Sequence, residues 1–276
     1  MSIGDVLAMV LTARGDESVL AAAGVLEANH GASISVVLFE KAPEPSEAMG
    51  AVYAGIWAVP PPLAGPRKPD DELTRLARRL RKSMQNAPVK RIEVLDGAGA
   101  DRAGLEARSA NLTVLLQPSG AHDEAFRRAM FESVLYESGR PVLLMPAKWT
   151  GPALAETIVI AWDGSREATR AVADAETILS QAERVLVLEV DVGVSEGLPG
   201  STVVARLRKR GVQCQHRAVH GCRAEVDEIL IREAQAIGAN LIVMGGYGHA
   251  RLHEMLFGGV TRSMVKSSPI PLFLSR

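Results

Sequence analysis

The chain has 276 residues, 47% of them hydrophobic, with a formal net charge of -1 and a sequence pI near 6.6. That length fits two ordinary domains with real cores, and a nearly neutral chain projects no long-range field toward nucleic acid or anionic lipid, so neither is an expected partner. Two cysteines, Cys214 and Cys222, are too few for a disulfide framework, and no apolar run approaches the roughly 20 residues that span a bilayer; a cytoplasmic protein is expected.

In chain order, the first half predicts strands near Val6–Leu11, Ser33–Phe39, Arg91–Leu95, Leu112–Leu116 and Val142–Met145, in the same order as the strands of the second half. Residues 41–70 interrupt the order with Pro43, Pro45, Pro60, Pro61, Pro62 and Pro66, and read as a surface loop or, alternatively, a lid or interface segment. Pro146–Pro152 forms a short linker with helix-breaking ends, giving domains over 1–149 and 154–276 that must pack together.

The second half repeats the pattern. Thr157–Ala161, Arg184–Val190 and Asn240–Met244 read as central parallel strands, nearly continuous in apolar residues because both faces are covered. Ala168, Ala171, Val172, Ala175, Ile178 and Leu179 recur at helical spacing, as do Val226, Ile229, Leu230, Ala234 and Ile237. The last strand, Ile270–Leu274, carries Pro271, which suits an edge or a strand start. Strands alternating with helices predict an α/β fold: two tandem doubly wound five-stranded parallel-sheet domains of Rossmann-like type, packed as an internal pseudo-dimer.

The candidate site is the glycine segment Gly245-Gly246-Tyr247-Gly248 followed, after nine residues, by Gly258-Gly259-Val260-Thr261. It lies after one strand and before a helix, at the carboxyl end of the sheet where ligands of such folds bind. Glycines there bring backbone amides close to an anion, and a helix start carries partial positive charge, so the segment outlines a phosphate cradle; turn punctuation without a ligand is the other reading.

The G-x2-G-x9-G pattern of Gly245, Gly248 and Gly258, its place between Val243-Met244 and Val260-Thr261, and Asp163-Gly164-Ser165 after the first strand of the same half resemble the universal stress protein family in its tandem form. The resemblance covers the whole chain, sharp in the second half and degenerate in the first. It implies a stress-response binding protein with ATP, accompanied by Mg2+, in the second domain. Asp163 would face the adenine and ribose, Met244 and Gly245 would edge the ligand, Gly248 would give backbone room, and Gly258, Gly259, Val260 and Thr261 would present amides and a hydroxyl to the phosphates. Gly259 departs from the family pattern, which has Ser or Thr there; one lost neutral hydrogen bond weakens binding about two- to tenfold. Arg251, His253 or Arg262 could compensate.

In the first half, aligning Phe131 with Phe257 puts Glu132-Ser133 opposite Gly258-Gly259, and aligning Gly15 with Gly164 puts Arg14 opposite Asp163. A carboxylate at the phosphate-binding helix start would repel the ligand, so this half is expected to be structural, supplying the surface that a second copy supplies in a homodimer. A homodimer of the whole chain, and unidentified protein partners, stay open.

Ser165 is expected to cap the following helix. Cys214, His216, His220 and Cys222 would share one face of a strand, but at about 3.3 Å per residue they spread too far to meet one zinc ion, and no metal site is expected. No G-x4-G-K-[ST] and no nucleophile elbow occurs. Dedicated catalysis is therefore unsupported, with slow ATP hydrolysis the most that is expected.

Overall fold

A computed structural model describes residues 3–12, 15–41, 87–94, 99–119, 123–151, 153–193, 197–247 and 259–276. The sequence expectations for Arg14, Gly248, Arg251, His253, Gly258 and nearly all of 41–70 lie outside the described residues. The first half contains β1 (Asp5–Val10), α1 (Glu17–His30), β2 (Ser33–Lys41), β3 (Val89–Val94), α2 (Gly99–Ala107), β4 (Leu112–Leu116), α3 (Glu124–Glu137) and β5 (Val142–Met145). The second contains β6 (Thr157–Trp162), α4 (Arg166–Asp174), α5 (Glu176–Gln181), β7 (Arg184–Asp191), α6 (Gly200–Lys209), β8 (Cys214–His220), α7 (Val226–Ala236), β9 (Leu241–Gly245), α8 (Gly259–Ser267) and β10 (Leu272–Ser275).

All ten strands join one sheet in the order β3-β2-β1-β4-β5-β10-β9-β6-β7-β8. Each half has the same internal order, with its first strand central and its last at the junction. Every pairing is parallel except β5 with β10, which run antiparallel. The carboxyl ends of the two sets of strands therefore lie at opposite edges of the sheet, so each half has its own cleft region.

The junction explains the proline in the last strand. Pro271 precedes β10, and its carbonyl accepts the Ile242 N–H at 3.0 Å. β10 is nonetheless a central strand, because β5 completes its hydrogen bonding through the pairs Leu272–Leu144, Phe273–Leu143 and Leu274–Val142. The missing proline N–H is thus kept out of the ladder.

Two apolar layers cover the sheet. Leu26, Ala171, Leu179 and Val204 of α1, α4, α5 and α6 pack on one face with Ile160 and Phe273. Ala103, Phe131, Leu230 and Met264 of α2, α3, α7 and α8 pack on the other with Ile242 and Leu144. The periodicity through Ala168–Leu179 predicts one helix; the structure has two, divided at Ala175, whose φ of -84° and ψ of 0° leave the helical region. Both pieces keep their apolar residues inward, which is why the break does not disturb the spacing.

The candidate nucleotide cleft

The carboxyl end of β6 runs directly into Asp163-Gly164-Ser165. Gly164 has a φ of +74°, and a Cβ there would stand 2.6 Å from the Gly197 Cα, so this turn requires glycine both for its handedness and for its contact with the segment leading to α6. Trp162 fastens the same contact, its indole N–H donating to the Leu198 carbonyl at 2.7 Å. Exposed Asp163 accepts the Ser165 N–H at 3.0 Å, and Ser165 in turn caps α4 by accepting the Ala168 N–H at 3.1 Å. The helix-cap role read from the sequence for Ser165 is present.

β9 lies beside β6, with Ala161 paired to Met244, so Met244 and Gly245 end level with the approach to Asp163. Met244 is buried in the core, and Gly245 is half-buried. The absence of a side chain at Gly245 has a local cause: a Cβ would meet the Ala168 amide nitrogen at 2.6 Å and Glu167 at 2.8 Å. Gly245 lets the first turn of α4 close onto the strand end. Glu167, to which the sequence assigned no role, is 4% exposed there and pairs with Arg166 at 2.5 Å. Its only signal was an acidic residue in a helix's first turn.

Past β9, Gly246 and Tyr247 touch the other half of the chain. A Cβ on Gly246 would meet Leu135 Cδ2 of α3 at 2.9 Å. Tyr247, at a φ of 54°, is buried against Tyr136 and Phe131, with ring centroids 5.6 and 6.5 Å away. Burial, reinforced by the neighbouring Tyr136 and Glu132, pushes its phenol up to about 12. The glycine segment thus also serves the junction between the halves, a contact that its local sequence does not signal.

α8 opens with Gly259, Val260 and Thr261. Gly259 is exposed, and a Cβ there would meet no described residue within 4 Å. Thr261 is buried, and its hydroxyl accepts the Tyr247 N–H at 3.4 Å, tying the glycine loop to the helix. At the other end of α8, buried Gln117 of the first half donates to the Met264 and Ser268 carbonyls at 3.2 and 3.1 Å. The helix of the cradle is therefore held at both ends by residues that reach the domain junction.

The equivalent region of the first half is filled by its own side chains. Asp16, wholly buried at the start of α1, accepts the Leu11 and Thr12 N–H groups at 2.8 and 2.9 Å. Arg127 of α3 reaches it with Nη1 at 2.5 Å and Nη2 at 3.3 Å. The alignment of Glu132-Ser133 with the second half's helix start is corrected here. α3 begins at Glu124, and counting back from the strand starts Val142 and Leu272 places Glu132 opposite Arg262, well inside the helix. An internal ion pair, rather than Glu132, occupies the first half's cleft.

The four metal-ligand candidates part company. Cys214 is buried, its thiol raised by burial and directed to the Val204 carbonyl at 3.6 Å, while Cys222 is exposed. His216 meets Glu189 at 2.9 Å and His220 meets Asp191 at 3.4 Å. Among the described residues no group of three or more His, Cys, Asp and Glu side chains is placed to hold a metal ion, and no helix is long and apolar enough to cross a membrane.

These features define a two-domain α/β protein whose second half carries Asp163, Gly245 and the start of α8 at the carboxyl ends of its strands. Residues 155–276 match the Universal stress protein family, and this half of the chain belongs to it. A universal stress protein from Archaeoglobus fulgidus DSM 4304 is similar over 100% of this chain and 97% of its own, with 13% identity and a TM-score of 0.70. A putative universal stress protein from Pseudomonas aeruginosa UCBPP-PA14 is similar over 99% and 93%, with 16% identity and a TM-score of 0.59. These full-length likenesses show that the first half shares the fold and that the chain has the tandem arrangement. No curated protein sequence matches the chain significantly.

Proposed function

We propose that the chain is a cytoplasmic stress-response binding protein whose second domain holds ATP or another adenine nucleotide, with Mg2+ entering on the triphosphate. The observation that supports this reading is the open start of α8. Among the described residues nothing lies within 4 Å of where a Gly259 side chain would begin, at the carboxyl edge of the sheet, on the strand-end side that also carries Asp163. Helix-start amides bind phosphate through the main chain, so the lack of a hydroxyl at Gly259 lowers affinity without removing the site. Action would come through binding: a nucleotide biases partner contacts only by its different affinity for two conformations.

Thermal unfolding with and without ATP tests the reading. At ligand a hundredfold above its dissociation constant, stability rises by about 2.7 kcal/mol. An unchanged transition at millimolar ATP would remove nucleotide binding and leave the second reading, an interaction scaffold with an empty cleft. That alternative is favoured by one observation, the engagement of the Thr261 hydroxyl with Tyr247 rather than with the cleft.

A further inference from the structure

A second concavity lies where the two halves meet. It has a volume of about 270 Å³, with Arg128 and Glu132 of α3 on one side and Arg262, Val265 and Lys266 of α8 on the other. Pro118 and Tyr247 complete its lining. Neither Asp163 nor Gly259, Val260 or Thr261 borders it, although Tyr247 joins it to the start of α8 through Thr261, and its charge comes from side chains rather than from helix-start amides.

The groove lies on the chain's internal twofold relation. Pro118 and Tyr247 occupy the same place after β4 and β9, and Glu132 and Arg262 the same place on α3 and α8. Two identical subunits would put identical residues on both sides of such an axis. Here one side supplies a carboxylate and the other a guanidinium, an asymmetry that only a fused pair can have.

The charge balance favours an anion. Arg128 is paired with Glu124 at 2.6 Å. Arg262 and Lys266 are exposed and have no ion-pair partner among the described residues. They stand one turn apart on α8, where like charges repel. An anion between them would relieve that repulsion, while Pro118, Val265 and the Tyr247 ring offer apolar contact. The volume is below the roughly 300–1,000 Å³ of pockets for drug-sized ligands, which points to something smaller than a nucleoside triphosphate.

We propose that this junctional groove binds a small phosphomonoester, its phosphate held by Arg262 and Lys266 and its organic part against Pro118, Val265 and Tyr247. The test is calorimetric titration of the full chain with phenyl phosphate at low and high salt. Saturable binding that weakens with salt is expected. The paired substitutions Arg262→Gln and Lys266→Gln should weaken it at least about tenfold. Glu132→Gln, which removes the opposing carboxylate, should tighten it about two- to fivefold. All three residues are at least partly exposed, so each variant should keep the parent's circular dichroism and melting behaviour. Absence of saturable binding, an affinity unmoved by the double substitution, or weaker binding by Glu132→Gln would each overturn the proposal.

Discussion

Arg127 and Asp16 form a two-pronged ion pair across the cleft of the first half, with the carboxylate wholly buried and the guanidinium 7% exposed. Such a pair is costly to assemble and more costly to break from one side, because the remaining charge stays in a medium that solvates it poorly. Arg127→Leu should therefore destabilise the protein by about 3–5 kcal/mol. Replacing both members by apolar residues should cost less than the sum of the single changes, since no charge is left behind. Urea midpoints for the two single variants and the double variant check this. Additive losses would show that the two side chains act independently.

The glycines of the candidate site divide by what surrounds them. Gly245→Ala would press a Cβ within 2.6 Å of the Ala168 amide nitrogen, a backbone atom with no easy escape. A loss of about 1–3 kcal/mol is expected. Gly259→Ser meets no described residue within 4 Å, suits a helix start better than glycine, and supplies a hydroxyl beside the amides. It should leave stability equal or slightly higher and tighten ATP about two- to tenfold. Melting curves and nucleotide titrations of the two variants make the comparison. If Gly259→Ser leaves ATP binding unmoved, phosphate does not reach the start of α8.

Gln117 is the buried link from the first half to the end of α8. Gln117→Leu fits a similar volume but withdraws both donors, leaving the Met264 and Ser268 carbonyls without those partners. The Met264 carbonyl keeps the Ser268 N–H at 2.9 Å, so the loss falls chiefly on the Ser268 carbonyl, at about 1–3 kcal/mol. Amide exchange read by mass spectrometry should show faster exchange concentrated in α8 and β10. Unchanged protection there would mean that water replaces the side chain without loss.

Strands were the legible part of this fold. Runs such as Ile158–Ile160 and Leu241–Val243 are apolar on both faces because helices cover both, and that pattern survives in one dimension. Helix continuity was less legible. Nothing in the spacing of Ala168–Leu179 marks the break at Ala175, since neither Gly nor Pro stands there. The internal repeat was visible in its strands and misleading in its helices, where the shared Phe131 and Phe257 offered a false anchor. Partners far apart in sequence, such as Asp16 with Arg127, Gln117 with Met264 and Tyr247 with Tyr136, carry no local signature. For the candidate site, the main-chain framework around Asp163, Gly245 and Gly259 could be read in advance, while the use of Thr261 to hold the loop could not.

Tyr247 supplies a pH-dependent test of the domain junction. Its phenol is pushed up to about 12 in the folded protein, chiefly by burial, against an ordinary value near 10. The folded state therefore keeps a proton that the unfolded chain releases first. This contribution is fully present below pH 10 and disappears as pH rises from 10 through 12, so stability falls in that window by something on the order of 2–3 kcal/mol. Other tyrosines and lysines titrate over the same range, so the informative quantity is the difference between the parent and Tyr247→Phe. The variant keeps the ring contacts with Tyr136 and Phe131 but has no proton to lose there. Its stability should decline less steeply between pH 10 and 12, with the two curves parallel below pH 9. Denaturant unfolding at stepped pH measures both slopes, and equal slopes above pH 10 would mean that the phenol stays open to water at the junction.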